Sequence, residues 1–186
     1  MKFLVLILTC SLTQFWLTVQ TVTPGGKTII YLARHAEKEK GDDPQLTDKG
    51  KQRAGDLMRT LKNKKIQQIY VTQYRRTQMT SDSIRIQLAI DTVHYLADTT
   101  GNDLLEKIKV HNDVGKTILV IGHSNTIPVI IKKLGVKNQS IPGIPDNEFD
   151  NLFIVKIKKG QAILSTKKYG AISAKIATTQ TMQPLQ

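Results

Sequence analysis

The stretch IIYLARHAEKEK, Ile29 to Lys40, decides how the rest of the chain is read. Its first five residues are apolar or aromatic and begin with two β-branched side chains, the pattern of a strand buried on both faces. Where the run stops, it sets a guanidinium beside an imidazole, Arg34 and His35. The runs TIIYLA (28–33), QIYVT (68–72), TVHYLA (92–97) and TILVIG (117–122) all read as such doubly buried strands. Helical spacing fills the gaps between them. In LTDKGKQRAGDLMRTLKNKK, residues Ala54, Leu57, Met58 and Leu61 fall at i, i+3, i+4 and i+7, with Thr47 or Asp48 placed to cap the start. RTQMTSDSIRIQLAI and NDLLEKIKVHND read as two further helices, and TIPVIIKKLG as a fourth, with Pro128 in its first turn and Gly135 at its end.

Strand alternating with helix predicts a mostly parallel sheet covered by helices on both faces, a three-layer α/β/α domain. After the last helix, NLFIVKIKKGQAILSTKKYG predicts a hairpin turning at Lys159-Gly160, added at or near the sheet edge. A ligand crevice in an open parallel sheet lies beyond the carboxyl ends of its strands. Arg34 and His35 end the first strand, Arg75 and Arg76 follow the second, and His123 ends the fourth. Residues far apart in sequence are thereby expected at one rim.

Phosphoryl transfer is the chemistry such a cluster suits. Arginine holds phosphate through a bidentate fork, a neutral imidazole can attack phosphorus, and a second imidazole can bond the remaining oxygens. Helix N-termini beyond Thr72 and Gly122 are expected to add backbone donors. Singly, each residue has a plainer reading: a histidine at a strand end is more often structural, and paired arginines often form a solvated helix start. The joint placement is what favours chemistry. His94 and His111 are read as structural, and no His or carboxylate spacing indicates a metal site.

The chain has 186 residues, one domain's length, and a formal net charge of +12 spread along it, which favours anions in general. Aromatic residues make up 5%, too few for interleaved base stacking, and no nucleic-acid module motif is visible. The opening MKFLVLILTCSLTQFWLTVQ reads as a secretory leader over residues 1–22, cleaved between Val19 and Gly25, with an uncleaved membrane anchor as the alternative. Its removal takes Cys10, the one cysteine, and excludes disulfides and thiolate chemistry from the mature chain. The expectation is an exported protein, periplasmic or secreted, with a domain over residues 27–170 and a loose tail over 171–186.

ARHAEK, then DPQLTDKGKQRA, IYVTQYRRTQMTS and LVIGHSNTIP together resemble the histidine phosphatase superfamily, with its phosphoglycerate mutase-like fold. The order and spacing look closest to the small single-domain branch of phosphohistidine phosphatases. The resemblance implies that His35 is the nucleophile that becomes phosphohistidine, and that Arg34, Arg76 and His123 bind the phosphoryl group. It implies hydrolysis of a phosphomonoester or phosphoramidate, on a small molecule or a phosphoprotein, without metal or other cofactor and without nucleic acid. Departures from the family pattern are Ala36 for the glycine after the histidine, Gly41 for the mutase asparagine, and Ser124 for the aspartate of the phytase-like branch. The mutase segment carrying an acidic proton donor is missing. Asp98 is then the positional candidate for the general acid and Glu37 the second. A protein of this fold that binds anions without turnover is the alternative from another class.

Overall fold

The computed structural model describes residues 26–137 and 139–173. Ten elements follow in chain order: β1 (Thr28–Arg34), α1 (Asp48–Leu61), β2 (Gln68–Thr72), α2 (Arg75–Leu88), β3 (Thr92–Tyr95), α3 (Asn102–Val110), β4 (Thr117–Gly122), α4 (Ile127–Lys133), β5 (Asn151–Lys158) and β6 (Gln161–Lys168). The strands form one sheet in the order β3-β2-β4-β1-β5-β6. The first four are parallel to one another, and β5 and β6 join antiparallel at the β1 side. This is the three-layer α/β/α architecture read from the sequence.

Strand parity divides the core. Ile30 and Leu32 of β1 face one layer with Leu104 and Ile108 of α3 and Ile127, Ile130 and Ile131 of α4. Tyr31 and Ala33, on alternate positions, face Leu57 and Leu61 of α1 and Ile84 of α2. Full burial of a leucine such as Leu57 or Leu61 contributes on the order of 2 kcal/mol each, so these two alone anchor α1. Thr47 caps that helix by accepting a hydrogen bond from the Gly50 amide at 3.0 Å. Gly50 is required there for another reason: a Cβ would collide with the Glu37 carbonyl, so α1 reaches the loop after β1 only without a side chain.

Two expectations need correction. β3 is not buried on both faces; it is an edge strand of four residues, and His94 within it is exposed. The domain also continues past Gly170. The Ser173 amide donates to the Asp150 carboxylate at 3.1 Å, the Ser173 hydroxyl accepts from the Phe149 amide at 2.9 Å, and Ala171 offers its carbonyl to Arg53. The leader and the remainder of the tail lie outside the described residues. The predicted hairpin turns at Lys159-Gly160 with φ of 50° and 75°, the paired positive values a type I′ turn requires. Among the described residues no helix is long and apolar enough to cross a membrane.

Candidate active site

Register brings the site together. Arg34 pairs with Gly122 across β1 and β4, and the His35 amide donates to the Gly122 carbonyl at 2.9 Å, so the residues that follow the two strands leave the sheet side by side. The rings of His35 and His123 lie 5.4 Å apart, centre to centre. β2 runs beside β4 and delivers Arg76 as the second residue of α2. A cavity of about 240 Å3 opens at this rim, and His35, Arg76 and His123 line it together with Lys38, Tyr74 and Asn125.

The hydrogen bonds settle which nitrogen of His35 is basic. Its Nδ1 lies 2.9 Å from the Ala36 carbonyl, which can only accept, so Nδ1 carries the proton and Nε2 keeps its lone pair. Burial pushes the His35 pKa down to about 3, helped by the charges of Arg34 and Arg76 and by His123, which keeps the ring neutral and nucleophilic at neutral pH. His123 is lowered to about 4 by burial first and then by the two arginines. Its Nδ1 faces Arg76 Nη2 at 3.5 Å and accepts, since a guanidinium only donates. Its Nε2 therefore donates to the Thr72 hydroxyl at 3.0 Å, and Thr72 lies 2.9 Å from the Thr77 hydroxyl. The Thr77 hydroxyl in turn donates to the Tyr74 carbonyl, which closes the chain and fixes the His123 ring.

Arg76 is held from two sides. Its guanidinium lies over the Tyr74 ring at 4.1 Å and 3.7 Å from the Asp43 carboxylate, while its Nε is buried without a partner. Neighbouring Arg75 is exposed, so of the adjacent pair only the second faces the cavity. Arg34 stands apart from the lining. Its Nη1 donates to the carbonyls of Pro145, Asp146 and Glu148 at 2.9 to 3.2 Å, and its guanidinium lies 4.3 Å over the Phe149 ring. Arg34 Nε is buried and, like that of Arg76, lacks a partner. A buried donor of this kind is costly unless an acceptor arrives, and a phosphoryl oxygen is such an acceptor.

Neither acid candidate joins the cluster. Asp98 turns its carboxylate back into its own loop: Oδ1 accepts from the Thr100 amide and hydroxyl and from the Gly101 amide, and Oδ2 accepts from the Asp103 amide. The hydrogen bond from the Thr100 hydroxyl, with the backbone amides, holds Asp98 below the usual carboxylate range, the opposite of what a proton donor near neutrality needs. Ala97, not Asp98, lines the cavity. The expectation that placed Asp98 at the rim followed the strand end correctly but missed that its loop uses the carboxylate as a local cap. Glu37 is taken as well. Burial raises its pKa, but the two hydrogen bonds at 2.8 Å from Arg53 outweigh that and hold it ionised.

Tyr74, Lys38, Phe149 and the Thr72–Thr77 chain were not singled out by sequence reasoning. Tyr74 and the threonines stand within YVTQYRRTQMTS, whose arginines drew attention first, whereas Phe149 lies in an aperiodic stretch that carries no signal. The proposed helix N-termini differ too. The Arg75 amide, at the start of α2, is already occupied by the Asp43 carboxylate, and Thr126 accepts from the His123 amide before α4 begins. Among the described residues no three His, Cys, Asp or Glu side chains converge as a metal site requires.

Residues 30–100 match the family model of the histidine phosphatase superfamily (branch 1). No curated protein matches the sequence significantly. The fold is shared with the protein histidine phosphatase SixA complexed with tungstate, at 16% identity over 75% of this chain and 96% of that one, with a TM-score of 0.60. A phosphoserine phosphatase from Entamoeba histolytica in complex with phosphoserine aligns at 15% identity over 76% and 96%, with a TM-score of 0.54. The alpha-ribazole phosphatase from Shigella flexneri aligns at 13% identity over 79% and 99%, with a TM-score of 0.58. The matched residues include Arg34, His35 and Arg76 and end before His123.

Proposed function

We propose that the protein hydrolyses a phosphomonoester or phosphoramidate through a phosphohistidine on His35. The observation that carries this reading is the tautomer of His35: Nδ1–H tied to the Ala36 carbonyl leaves Nε2 unprotonated in a cavity shared with Arg76 and His123. Nε2 attacks phosphorus, a P–N bond forms, and the bond from phosphorus to the leaving group breaks with its electron pair going to that group. Water then attacks the phosphoryl group, releasing inorganic phosphate and returning neutral His35. Arg76, which lines the cavity, is the donor assigned to the phosphoryl oxygens, while Arg34, outside the lining, contributes its charge beside His35. His123 gains a proton as the dianion arrives, because the anion's charge offsets what the arginines impose, and Nδ1 then donates to oxygen.

No carboxylate lines the cavity, so the leaving group's proton is assigned to the substrate itself. That favours substrates whose leaving group needs none or arrives protonated, phosphoramidates such as phosphohistidine above alkyl phosphates. Such substrates and the reading of residues 1–22 as a leader together give the proposed setting, an exported phosphatase acting on small phosphorylated molecules or phosphoproteins. The experiment is a phosphate-release assay on an alkyl phosphate, p-nitrophenyl phosphate and a phosphohistidine peptide. Turnover of the last two, with the alkyl ester slowest by ~100-fold or more, is the expected result. Binding of vanadate with release from none of the three identifies an anion-binding protein instead.

A further inference from the structure

The sheet face formed by the hairpin carries a charge pattern the active site does not use. β5 and β6 extend the sheet beyond β1, and α1 reaches only the first part of that extension, leaving the remainder uncovered. Register aligns the side chains on this face. Leu152 pairs with Lys167, Ile154 with Ser165, Lys156 with Ile163, and Lys158 with Gln161. On the other side of β5, Ile29 pairs with Lys156 and brings Lys27 level with the strand's end. Two adjoining hollows of about 390 and 360 Å3 share Lys156 and between them are lined by Lys27, Lys64, Lys156, Lys158, Lys159 and Lys167. No aspartate or glutamate lines either hollow. None of the six lysines has an ion-pair partner among the described residues, whereas the helices pair cations internally, Asp48 with Lys51, Asp56 with Arg59 and Asp82 with Arg85. Ile163 stands in the middle of the face, 61% exposed.

The occupant follows from the charge: six lysines with no carboxylate among the lining residues surround one exposed apolar side chain, Ile163, a pattern complementary to an anionic interface. We infer that this hairpin face adsorbs to an anionic lipid surface, with the lysines against the headgroups and Ile163 at the acyl boundary, as a peripheral contact rather than an insertion. A broad, unneutralised lysine face around one apolar side chain suits a fluid anionic surface, which presents charge everywhere, better than a ligand of fixed geometry. The cavity with His35 and His123 lies at the carboxyl ends of β1 and β4 and shares no lining residue with either hollow, so adsorption leaves the mouth open.

The test uses the full chain and vesicles of phosphatidylcholine, alone or with an equal part of phosphatidylglycerol. Any contribution of the N-terminal segment appears with both, so the difference between them reads the lysines. The expected result is tighter binding to the anionic vesicles, weakening steeply with salt. In Lys156→Glu/Lys158→Glu/Lys167→Glu that preference falls by ~100-fold or more, less than the full product of roughly fivefold per unit of charge because not every lysine touches the surface at once. Turnover of a soluble phosphate stays unchanged. The matched set Lys107→Glu/Lys109→Glu/Lys132→Glu, on the α3 and α4 layer, leaves the preference nearly intact. The same three hairpin positions changed to glutamine replace the reversal variant if it fails to fold, with ~10-fold or more expected. Equal loss from both lysine sets attributes binding to net charge and overturns the inference. So does a hairpin variant that still prefers the anionic vesicles, or a wild-type protein that binds an acidic polypeptide or single-stranded DNA in preference to them.

Discussion

Arg34 and Arg76 are buried or nearly so, each stacked on an aromatic ring and fixed by neighbouring oxygens, while Lys156, Lys158 and Lys167 stand in solvent with no carboxylate beside them. Both regions are cationic, yet they are suited to different anions. The arginines have their geometry set before any ligand arrives, and the cost of burying their charge is met by the fold, so a small anion finds donors already aimed. The lysines keep their rotamer freedom and hydration, so they supply attraction without geometry. Net charge alone does not separate the two; burial and the number of fixed contacts do.

Substitutions can break that contrast, beginning with the largest effect. His35→Ala is expected to lower turnover by ~10⁴-fold or more while the protein remains folded, because no other side chain lining the cavity is placed as a neutral nucleophile. A folded variant with appreciable activity contradicts the mechanism. Arg76→Lys keeps the charge and loses the fork, and should cost ~100-fold in kcat/KM. Arg75→Lys and Lys156→Arg should leave kcat/KM within about twofold. If Arg75→Lys proves the more damaging of the adjacent pair, the pocket's anion is held differently from the account given.

A smaller effect tests the hydroxyl chain. Thr72→Val removes the acceptor of the His123 Nε2–H and frees the ring, and is expected to lower kcat/KM about fivefold, since one neutral hydrogen bond is worth on the order of 1 kcal/mol. Thr72→Ser restores the acceptor and should recover most of it. pH reports on the same histidines. Both are held neutral in the folded state, at about 3 and about 4, against 6.5 in a solvated ring. Between those values the unfolded chain binds more protons than the folded one, so stability without ligand falls as pH drops below about 6.5. Phosphate should flatten that fall by favouring the protonated form of His123, which thermal denaturation with and without phosphate measures. Asp98→Asn is the smallest: about 1 kcal/mol or less of stability through the loop before α3, and turnover of the phosphohistidine peptide within about twofold. A loss of ~100-fold confined to the alkyl ester would return Asp98 to the role of acid.

Much of this was open to reading in the chain itself, for a physical reason. QIYVT and TILVIG are central strands, buried on both faces, and their continuous apolar runs mark them without help from neighbours. β3 carries the same residue types but sits at the edge, and nothing within TVHY distinguishes an outer strand from an inner one. His35 and His123 were legible because they follow central strands, where topology alone assigns the rim. Asp98 satisfied the same positional logic and failed it, because the small polar residues after it give its carboxylate a nearer set of donors. The anchoring of Arg34 by Pro145, Asp146 and Glu148 depends on a loop with no periodicity, and only tertiary packing reveals it.

The central claim is that Nε2 of His35 becomes covalently phosphorylated during turnover, and rapid quench into alkali followed by mass analysis of the protein addresses it directly. The account predicts one phosphoryl group per chain, stable in base, lost in acid, mapped to His35 and missing from His35→Ala. Steady turnover with no such species at any quench time, in a protein whose phosphate release still depends on His35, would contradict it and indicate direct attack by water.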